Sequence, residues 1–580
     1  MGATLMPLAI NKGKSKRVSL IITVKGKKRV KAKLPSIGVK DRIINVIANS
    51  FLTSYILHAT YRHLKQTTLT ITPYSYAIKA SSFTLTAAAA ATALSIALLL
   101  NQGGLIPLLI PPLTMASILL VSLAIPRVLT FKRAKGVEEE LPFFAILASV
   151  FVASGLSILR VFNALTNCTF LGSMRLESLL IRRDCLISSS NPLQALEDSV
   201  KQHPSNTYRE LLLSYTSVLR SGGDVVSFLN GKVQELLRAV ERRWKTYASS
   251  MFLIGDLILA LFLAAPLMLS MSALALATPV AMGFVDLYSF TIIPMLTLTS
   301  ITLIHIWSPK TRNNYANPTR TFIVATLAMT LVATILRFTI NPPLHIILPV
   351  SLTAFSIPLT ITSWARINNV SNIERALPAF LRDITEYRKM GQDLKRAILT
   401  LAQRRFYNKH FNELLNNVVK LLGLGIPFNR LASLMDTPSF MARVTFFILA
   451  HMAETGSDTP ILLESLTRSM DNLKQAKEQA KANLKLQMII GYLAPVIVIA
   501  SVSLLFNFIK DASVIPTLIF DAANPALIRV LLEKVKLAVA FSSVSIGLLI
   551  AKASDATLHS LRHLLGCLIS YIAALTVFPV

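Results

Sequence analysis

The sequence predicts an all-α polytopic membrane protein with about nine transmembrane helices and two repeated cytosolic helical-bundle domains. Composition is the first observation: 53% of the 580 residues are hydrophobic and only 15% are charged, whereas soluble chains carry about 25% charged residues. The second is a set of long uncharged segments, and the third is a charged segment that occurs twice. Together they exclude a string of soluble domains and a disordered chain.

Nine segments reach or approach the ~20 largely apolar residues that a membrane-spanning helix requires. They are residues 82–101, 105–125, 251–275, 287–307, 321–340, 344–364, 487–508, 537–551 and 564–580. The eighth is short, and we expect Lys536 and Lys552 at its two ends to extend outward.

Basic residues predict how the chain is oriented. The net charge is +30, and the first 80 residues hold fifteen Lys and Arg against one acid, Asp41. By the positive-inside rule, this amino terminus is cytosolic. Alternation then gives a basic amino-terminal region (1–80), two spans (81–127), a first cytosolic domain (128–250), four spans (251–364), a second cytosolic domain (365–486) and three spans (487–580), in the cell membrane.

Both cytosolic domains carry the same motifs, 234 to 236 residues apart. The first copy has Leu141, Pro142, Gly155, Gly222 and Asp224, and the second has Leu377, Pro378, Gly391, Gly456 and Asp458. This tandem repeat decides whether residues 141–159 cross the membrane, since they are uncharged and long enough to do so. Their counterpart carries eight charges, and each would cost ~2.5–3.5 kcal/mol at the bilayer centre. We therefore expect residues 141–159 to be a buried cytosolic helix.

Local residue chemistry predicts how the repeated helices begin and end. Each Leu-Pro pair is expected at a helix start, because the backbone N–H that proline lacks has no partner within the helix at that position. In the first copy, Glu138–Glu140 come just before it. Gly155 and Gly391 are breaks or close-approach positions. Gly222 and Gly456 can end a helix in the left-handed conformation. Asp224 and Asp458 either cap the next helix or have a functional role, and that helix runs on into a span as a rod.

Motifs for catalysis, nucleotide binding or metal binding are missing from the sequence, so we expect no enzyme and no cofactor. Cys168, Cys185 and Cys567 lie far apart and suggest neither disulfides nor zinc. Asp256 is the one acid inside a span, ~9 Å from its cytosolic end. It is either hydrated or paired with another helix, or a proton-carrying or force-transmitting site.

The basic amino-terminal region has two expected elements, a short hairpin at 18–34 and an amphipathic helix at 43–64. Its charges set topology and contact anionic lipids, or they dock a protein. Nucleic acid is excluded, because the stretch lacks interleaved aromatic residues.

In their order and repetition, these motifs resemble the type II secretion system F domain family over residues ~138–510. The two tandem copies are similar to archaeal platform proteins of archaellum and type IV pilus machines. A Gly-Glu-x-Ser-Gly form found in some bacterial relatives is replaced by Ala453-Glu454-Thr455-Gly456, which favours the archaeal group. The resemblance implies a non-enzymatic platform that contacts a hexameric secretion ATPase and type IV pilin-like subunits, as a homo-oligomer, expected to be a dimer.

Exposed cations are the candidate ATPase contacts, since they would suit an acidic partner surface. They are Arg382, Arg388, Lys389, Arg404 and Arg405 in the second domain, and Arg220, Arg238, Arg242 and Arg243 in the first. Each is otherwise a solvated or lipid-facing charge. The alternative function is a transporter or channel with parallel repeats, which would need polar groups converging at the bilayer midplane.

Overall fold

The computed structural model describes residues 50–67, 72–102, 110–187, 191–276, 279–308, 319–339, 341–404, 406–435, 437–456, 460–512, 525–555 and 560–578. These residues are helical, with no strand among them, so the all-α prediction is confirmed. The hairpin expected at 18–34 lies outside the described residues. The chain divides into two compact units, residues 1–135 and 136–580.

Eight helices of the described part are long and apolar enough to cross a membrane. They cover residues 73–97, 111–153, 225–269, 282–307, 319–339, 344–389, 460–504 and 529–554, and a shorter apolar helix follows at Arg562–Val577. Each of the nine predicted spans coincides with one of these helices. The chain is therefore an all-α polytopic membrane protein.

In the first unit, the predicted amphipathic helix is present from residue 51. It is α1 (Phe51–Gln66), followed by α2 (Pro73–Gln102) and by α3 (Ile110–Ala153), which continues beyond this unit. One face of α1 is buried at helical spacing, and it packs on α2, where the Thr53 hydroxyl donates to Ser81 Oγ at 2.7 Å. Its other face exposes Phe51 and Tyr55.

The second unit contains two modules of six helices that correspond one to one. We call residues 136–250 the first module and residues 365–486 the second module. The first has the end of α3, α4 (Ile158–Thr166), α5 (Gly172–Ile187), α6 (Pro192–Lys201), α7 (Asn206–Arg220) and α8 (Val225–Leu259). The second has the end of α13 (Leu344–Lys389), α14 (Leu394–Arg404), α15 (Lys409–Gly423), α16 (Phe428–Leu434), α17 (Phe440–Thr455) and α18 (Pro460–Ala512). The six-helix correspondence supports the tandem repeat.

Prediction of a helix start at each Leu-Pro pair is wrong. Pro378 lies inside the 46-residue helix α13, and Pro142 lies inside the 44-residue helix α3. Proline removes one backbone hydrogen bond within a helix. Here helix continues on both sides, because the flanking apolar residues Leu141 and Leu377 are buried against the module cores. The breaks come later, at Gly155 and Gly391, both with φ +79°.

Between the modules and after the second one lie the remaining helices. They are a π-helical turn (Ala260–Ala264), α9 (Ala265–Leu276), α10 (Pro279–Leu287), a second π-helical turn (Tyr288–Ile292), α11 (Ile293–Trp307), α12 (Thr319–Thr339), α19 (Pro525–Asp555) and α20 (Arg562–Val577). In α19, 72% of the apolar window is buried, against at most 44% in the other spanning candidates. This helix is therefore the centre of the bundle.

Burial of α19 corrects one expectation about its ends. Lys552 was expected to extend outward, but it is buried, because neighbouring helices surround α19 along its length. Gly547 shows how closely they approach: a Cβ atom there would lie 2.5 Å from Leu564 Cα of α20. Near the opposite end, Lys534 forms an ion pair with Asp286 of α10.

Candidate functional site

A shared aromatic core joins the two modules. Phe143 of α3 meets Phe440 of α17 edge to face, with ring centroids 5.6 Å apart. Phe170 and Phe447 make a second edge-to-face pair at 5.4 Å. Such pairs contribute ~0.5–1.5 kcal/mol beyond their buried area. The modules therefore form one packed body, with a single hydrophobic cluster running through both.

This packing explains why residues 141–159 are so apolar. Residues 141–150 are all buried, because the first module covers one side of the helix and α17 of the second module covers the other. A helix that is apolar all round is expected where it is buried all round. The second module, which covers this part of α3, is rich in charged residues. If that module lies outside the bilayer, this part of α3 does too.

Opposite it, α17 is equally enclosed. Residues 444–452 are all buried. His451 lies between Phe151 and Phe447, with ring centroids at 5.4 Å and 4.6 Å. Burial lowers the pKa of His451 to about 4, although the Glu454 carboxylate is 3.3 Å from its Nδ1. At neutral pH an uncharged imidazole therefore packs in the interface.

The interface is asymmetric with respect to the repeat. By position, α17 corresponds to α7 of the first module, and the end of α3 corresponds to the end of α13. Those two counterparts are amphipathic, with exposed charges such as Glu210 and Arg220 on α7 and Arg382 and Glu386 on α13. The two mostly apolar segments, the end of α3 and α17, therefore face each other once, inside one chain, whereas their counterparts carry exposed charges.

The last helix of each module continues as a membrane helix, as predicted. α8 and α18 pack side by side, and Gln234 Nε2 donates to Ser465 Oγ at 2.7 Å. α18 has 53 residues, a length of ~80 Å at 1.5 Å per residue. Each module is thus joined to a membrane helix without an interruption of the helix at the junction.

The two modules repeat an ion pair that links their first and last helices. In the second module, Lys477 Nζ of α18 lies 2.9 Å from the Glu374 carboxylate of α13. In the first, the Arg243 guanidinium of α8 lies 3.7 Å from the Glu138 carboxylate of α3. Both partners are shifted by 234 to 236 residues, the spacing of the repeat. Sequence reasoning missed this pair, although the repeat offset applied to charged residues would have found it.

The acidic run before Leu141 meets a helix N-terminus, but not that of its own helix. Glu140 is buried and accepts the backbone N–H groups of Ser173 at 3.2 Å and Met174 at 2.6 Å, at the start of α5. Glu138 accepts the Ser205 hydroxyl at 2.9 Å, just before α7. A carboxylate near a helix N-terminus is stabilising, so these acids hold α5 and α7 against α3.

Predicted capping is confirmed in the first module. Asp224 accepts the backbone N–H groups of Val226 and Ser227, both at 3.0 Å, at the start of α8. Gly222 and Gly456 have φ +72° and +66°, as expected for helix ends. Asp458 lies outside the described residues, and α18 begins at Pro460.

Some of the candidate ATPase contacts are exposed, and others bind neighbours in the module. Arg238, Arg242, Arg382 and Arg404 have exposed side chains. Lys389 pairs with Glu386 at 3.0 Å and Glu464 at 2.8 Å, Arg220 pairs with Glu197 at 2.9 Å, and Arg388 donates to the Gln392 carbonyl at 3.2 Å. Arg243 belongs to the repeated ion pair, and Arg405 lies outside the described residues.

Among the residues that the structure describes, no three His, Cys, Asp or Glu side chains are grouped as metal ligands. Burial raises the pKa of Cys168 to about 12, which keeps its thiol protonated at neutral pH. Asp256 is exposed on α8, outside the packed interior of the bundle, and its role stays a prediction.

Comparison with known proteins identifies a family likeness in the first module. Residues 144–273 match the family described as Type II secretion system (T2SS), protein F, so the resemblance is confirmed for the first module and its last helix. The chain is 21% identical over 497 residues to an uncharacterized protein of Methanocaldococcus jannaschii, covering 78% of this chain and 81% of that relative. No solved structure matches the chain. The family match therefore shows a likeness to protein F of the type II secretion system over residues 144–273.

Proposed function

We propose that this chain is the non-enzymatic platform of an archaeal type IV pilus-like assembly or secretion machine in the cell membrane. It couples a cytosolic hexameric ATPase to the extraction of pilin-like subunits and their assembly into a filament. The observation that carries the proposal is the mechanical continuity of the second unit. Two modules share one core, and each continues through a helix into the membrane.

A platform must transmit force without dissipating it in a flexible joint. The repeated ion pair supports this role, because it ties the first and last helices of each module together near the membrane. The packed interface makes both modules respond to a push on either one. In this proposal, rotation or translation of the ATPase displaces the pair of modules, and α8 and α18 carry the displacement into the bilayer.

Four exposed arginines are the best candidates for the ATPase contact. Arg238 and Arg242 lie on α8, and Arg382 and Arg404 lie on helices of the second module. Lys389 is a weaker candidate, because Glu386 and Glu464 already neutralise it. Contacts between exposed charges weaken with salt, since the Debye length is ~10 Å at 0.1 M.

A binding measurement tests the contact directly. The full-length protein in lipid nanodiscs is titrated with the hexameric secretion ATPase of the same organism, at low and high salt. We expect the double charge reversals R238E/R242E and R382E/R404E to weaken binding about tenfold, whereas K409E/K420E, on exposed lysines of α15, serves as a charge-matched control. Equal affinity for all three variants would reject these arginines as contacts.

Deletion of the gene tests the function as a whole. We expect surface filaments to disappear while pilin-like subunits remain in the membrane. The transporter alternative makes a different prediction, namely solute uptake by the reconstituted protein. Filaments that persist in the deletion strain, together with such uptake, would overturn the platform proposal.

A further inference from the structure

An acidic side chain lies on the outer surface of the membrane bundle. Asp256 belongs to α8, five residues beyond Met251, where the apolar part of this helix begins. Its side chain is exposed. Its neighbours on the same face, Phe252, Leu253 and Leu257, are 50%, 63% and 56% exposed. Asp256 therefore interrupts a surface that is otherwise apolar and suited to lipid.

The length of this apolar segment places Asp256 inside the hydrocarbon layer. Residues 251–275 span ~37 Å at 1.5 Å per residue, whereas the hydrocarbon core of a bilayer is ~30 Å thick. When the two ends share the excess equally, Asp256 lies ~4 Å inside the core, on the side of the first module. A charge in hydrocarbon is unfavourable, and aspartate lacks the long stem with which lysine and arginine extend to the interface.

This chain does not compensate the charge of Asp256. Within the described ranges, the Asp256 carboxylate forms no hydrogen bond or ion pair, whereas Asp286 of α10 is paired with Lys534. A second copy does not supply the missing cation from within a predicted span either. Arg337 is the one basic residue inside those spans, and it lies in the last turn of α12, where it donates to Asn341 at 2.6 Å.

The repeated fold does not require this acid. By the 234-residue spacing that relates Arg243 to Lys477, Asp256 corresponds to Ile490 of α18. The backbone differs as well, since α18 continues to Ala512 as an α-helix, whereas α8 ends one turn after Asp256 in the π-helical turn Ala260–Ala264. Such turns occur frequently at functional sites. The acid and the π-helical turn are thus shared features of one copy, which indicates a role beyond folding.

A second π-helical turn holds the first one in place. Tyr288, the first residue of the turn Tyr288–Ile292, donates its hydroxyl to the Leu261 carbonyl at 2.6 Å. The backbone that follows Asp256 is therefore fixed against the bundle, while its carboxylate points away from it. An occupant must have an apolar body, to cover Phe252 and Leu253, and a cation at the depth of the carboxylate.

We propose that Asp256 is an intramembrane docking point for a lysine or arginine on the membrane helix of another protein. That the helix belongs to the pilin-like subunit rests on the proposed function. The apolar face of the subunit helix packs on Phe252, Leu253 and Leu257, and its basic group pairs with the Asp256 carboxylate. The subunit is thereby attached to α8, the helix that joins the first module to the membrane.

Binding in bilayers tests the site. The full-length protein and a pilin-like subunit of the same organism, each carrying a fluorophore, are reconstituted in phosphatidylglycerol, which has no amine, and energy transfer is followed as the subunit is titrated. We expect D256N to weaken binding about tenfold, because it removes one charge pair, while D256E keeps it. E413Q, which removes an exposed carboxylate from α15, is the control and should bind as wild type does.

A charge exchange identifies the partner group. D256K should bind the subunit more weakly than D256N, because like charges then meet in the membrane. The lysines and arginines in and beside the membrane helix of the subunit are changed to glutamate one at a time. One of these changes should restore binding to D256K and weaken binding to wild type.

Two outcomes would overturn the proposal. One is equal binding of the subunit by wild type and D256N when both melt at the same temperature, which removes Asp256 as the docking point and leaves the platform function intact. The other is a lack of subunit binding by wild type in a strain background where deletion of the gene abolishes filaments. Failure of the platform function itself is distinguished by filaments that persist in the deletion strain.

Discussion

Lys477 Nζ lies 2.9 Å from the carboxylate of Glu374 and joins the last helix of the second module to its first. The corresponding residues of the first module, Arg243 and Glu138, are 3.7 Å apart. The pairs differ in exposure: the side chains of Lys477 and Glu374 are 18% and 19% exposed, those of Arg243 and Glu138 55% and 28%. Because a charge left without its partner costs more free energy when it is buried, the two modules should respond differently to the same change.

Removing one partner of each pair tests this difference. We expect Lys477→Ala to lower the free energy of unfolding by about 1–3 kcal/mol, because it leaves a largely buried carboxylate unsatisfied. Arg243→Ala should cost only ~0–1 kcal/mol, as usual for exposed pairs. Thermal unfolding in detergent measures both. An equal cost for the two variants would contradict the assigned burial, and a Glu374→Lys, Lys477→Glu exchange should recover part of the loss.

The aromatic contact between the modules makes a second prediction. Phe143 is 8% exposed, so Phe143→Ala should cost about 3–5 kcal/mol. A double-mutant cycle with Phe440→Ala should show a coupling of ~0.5–1.5 kcal/mol, because the two rings meet edge to face. Phe406, 64% exposed, is the control, and its truncation should change stability by less than ~0.5 kcal/mol. Strict additivity of Phe143→Ala and Phe440→Ala would show that the modules do not pack through these rings.

Two glycines of opposite character provide a third prediction. Gly391 has φ +79° and open space around its Cα, so Gly391→Ala should cost ~1–2 kcal/mol through backbone strain alone. Gly231 lies inside α8, also with open space for a Cβ, and Gly231→Ala should stabilise the protein by ~0.5–1 kcal/mol. Chemical denaturation of the two variants gives the comparison. Stabilisation by Gly391→Ala would exclude the left-handed turn.

Protonation of His451 gives a pH dependence. The pKa of His451 is lowered to about 4 by burial, from 6.5, so the unfolded chain binds the proton more readily than the folded one. Stability is therefore complete above pH ~6.5 and falls as the pH drops toward 4, by up to about 3 kcal/mol. His451→Phe should abolish this loss, measured as melting temperature against pH.

The nearby Glu454 also contributes to the pH dependence of stability, and its contribution has to be measured separately from that of His451. Burial raises the pKa of Glu454, and its contribution has the opposite sign, since protonation relieves a buried charge as the pH falls. Glu454→Gln in both the wild-type and the His451→Phe background isolates the histidine. A melting temperature with the same pH profile in all four proteins would place His451 in contact with water.

From the sequence alone, the membrane class, all nine apolar segments and the tandem repeat could be predicted, because hydropathy, charge and motif spacing are local properties. The same holds for the left-handed Gly222 and the cap at Asp224, since each depends on a few neighbouring residues. The prediction at the Leu-Pro pairs was wrong because it used only local residues. Local chemistry places Pro378 at a helix start, whereas burial of Leu377 and its neighbours keeps α13 continuous across it.

Only the tertiary structure decided which surfaces meet. That α17 covers the apolar end of α3 depends on packing between residues some 300 positions apart, and no local pattern specifies it. The same is true of the burial of Lys552 at the centre of the bundle. Side-chain chemistry determined which face each helix can bury. The packing of the whole chain determined which other helix covers that face.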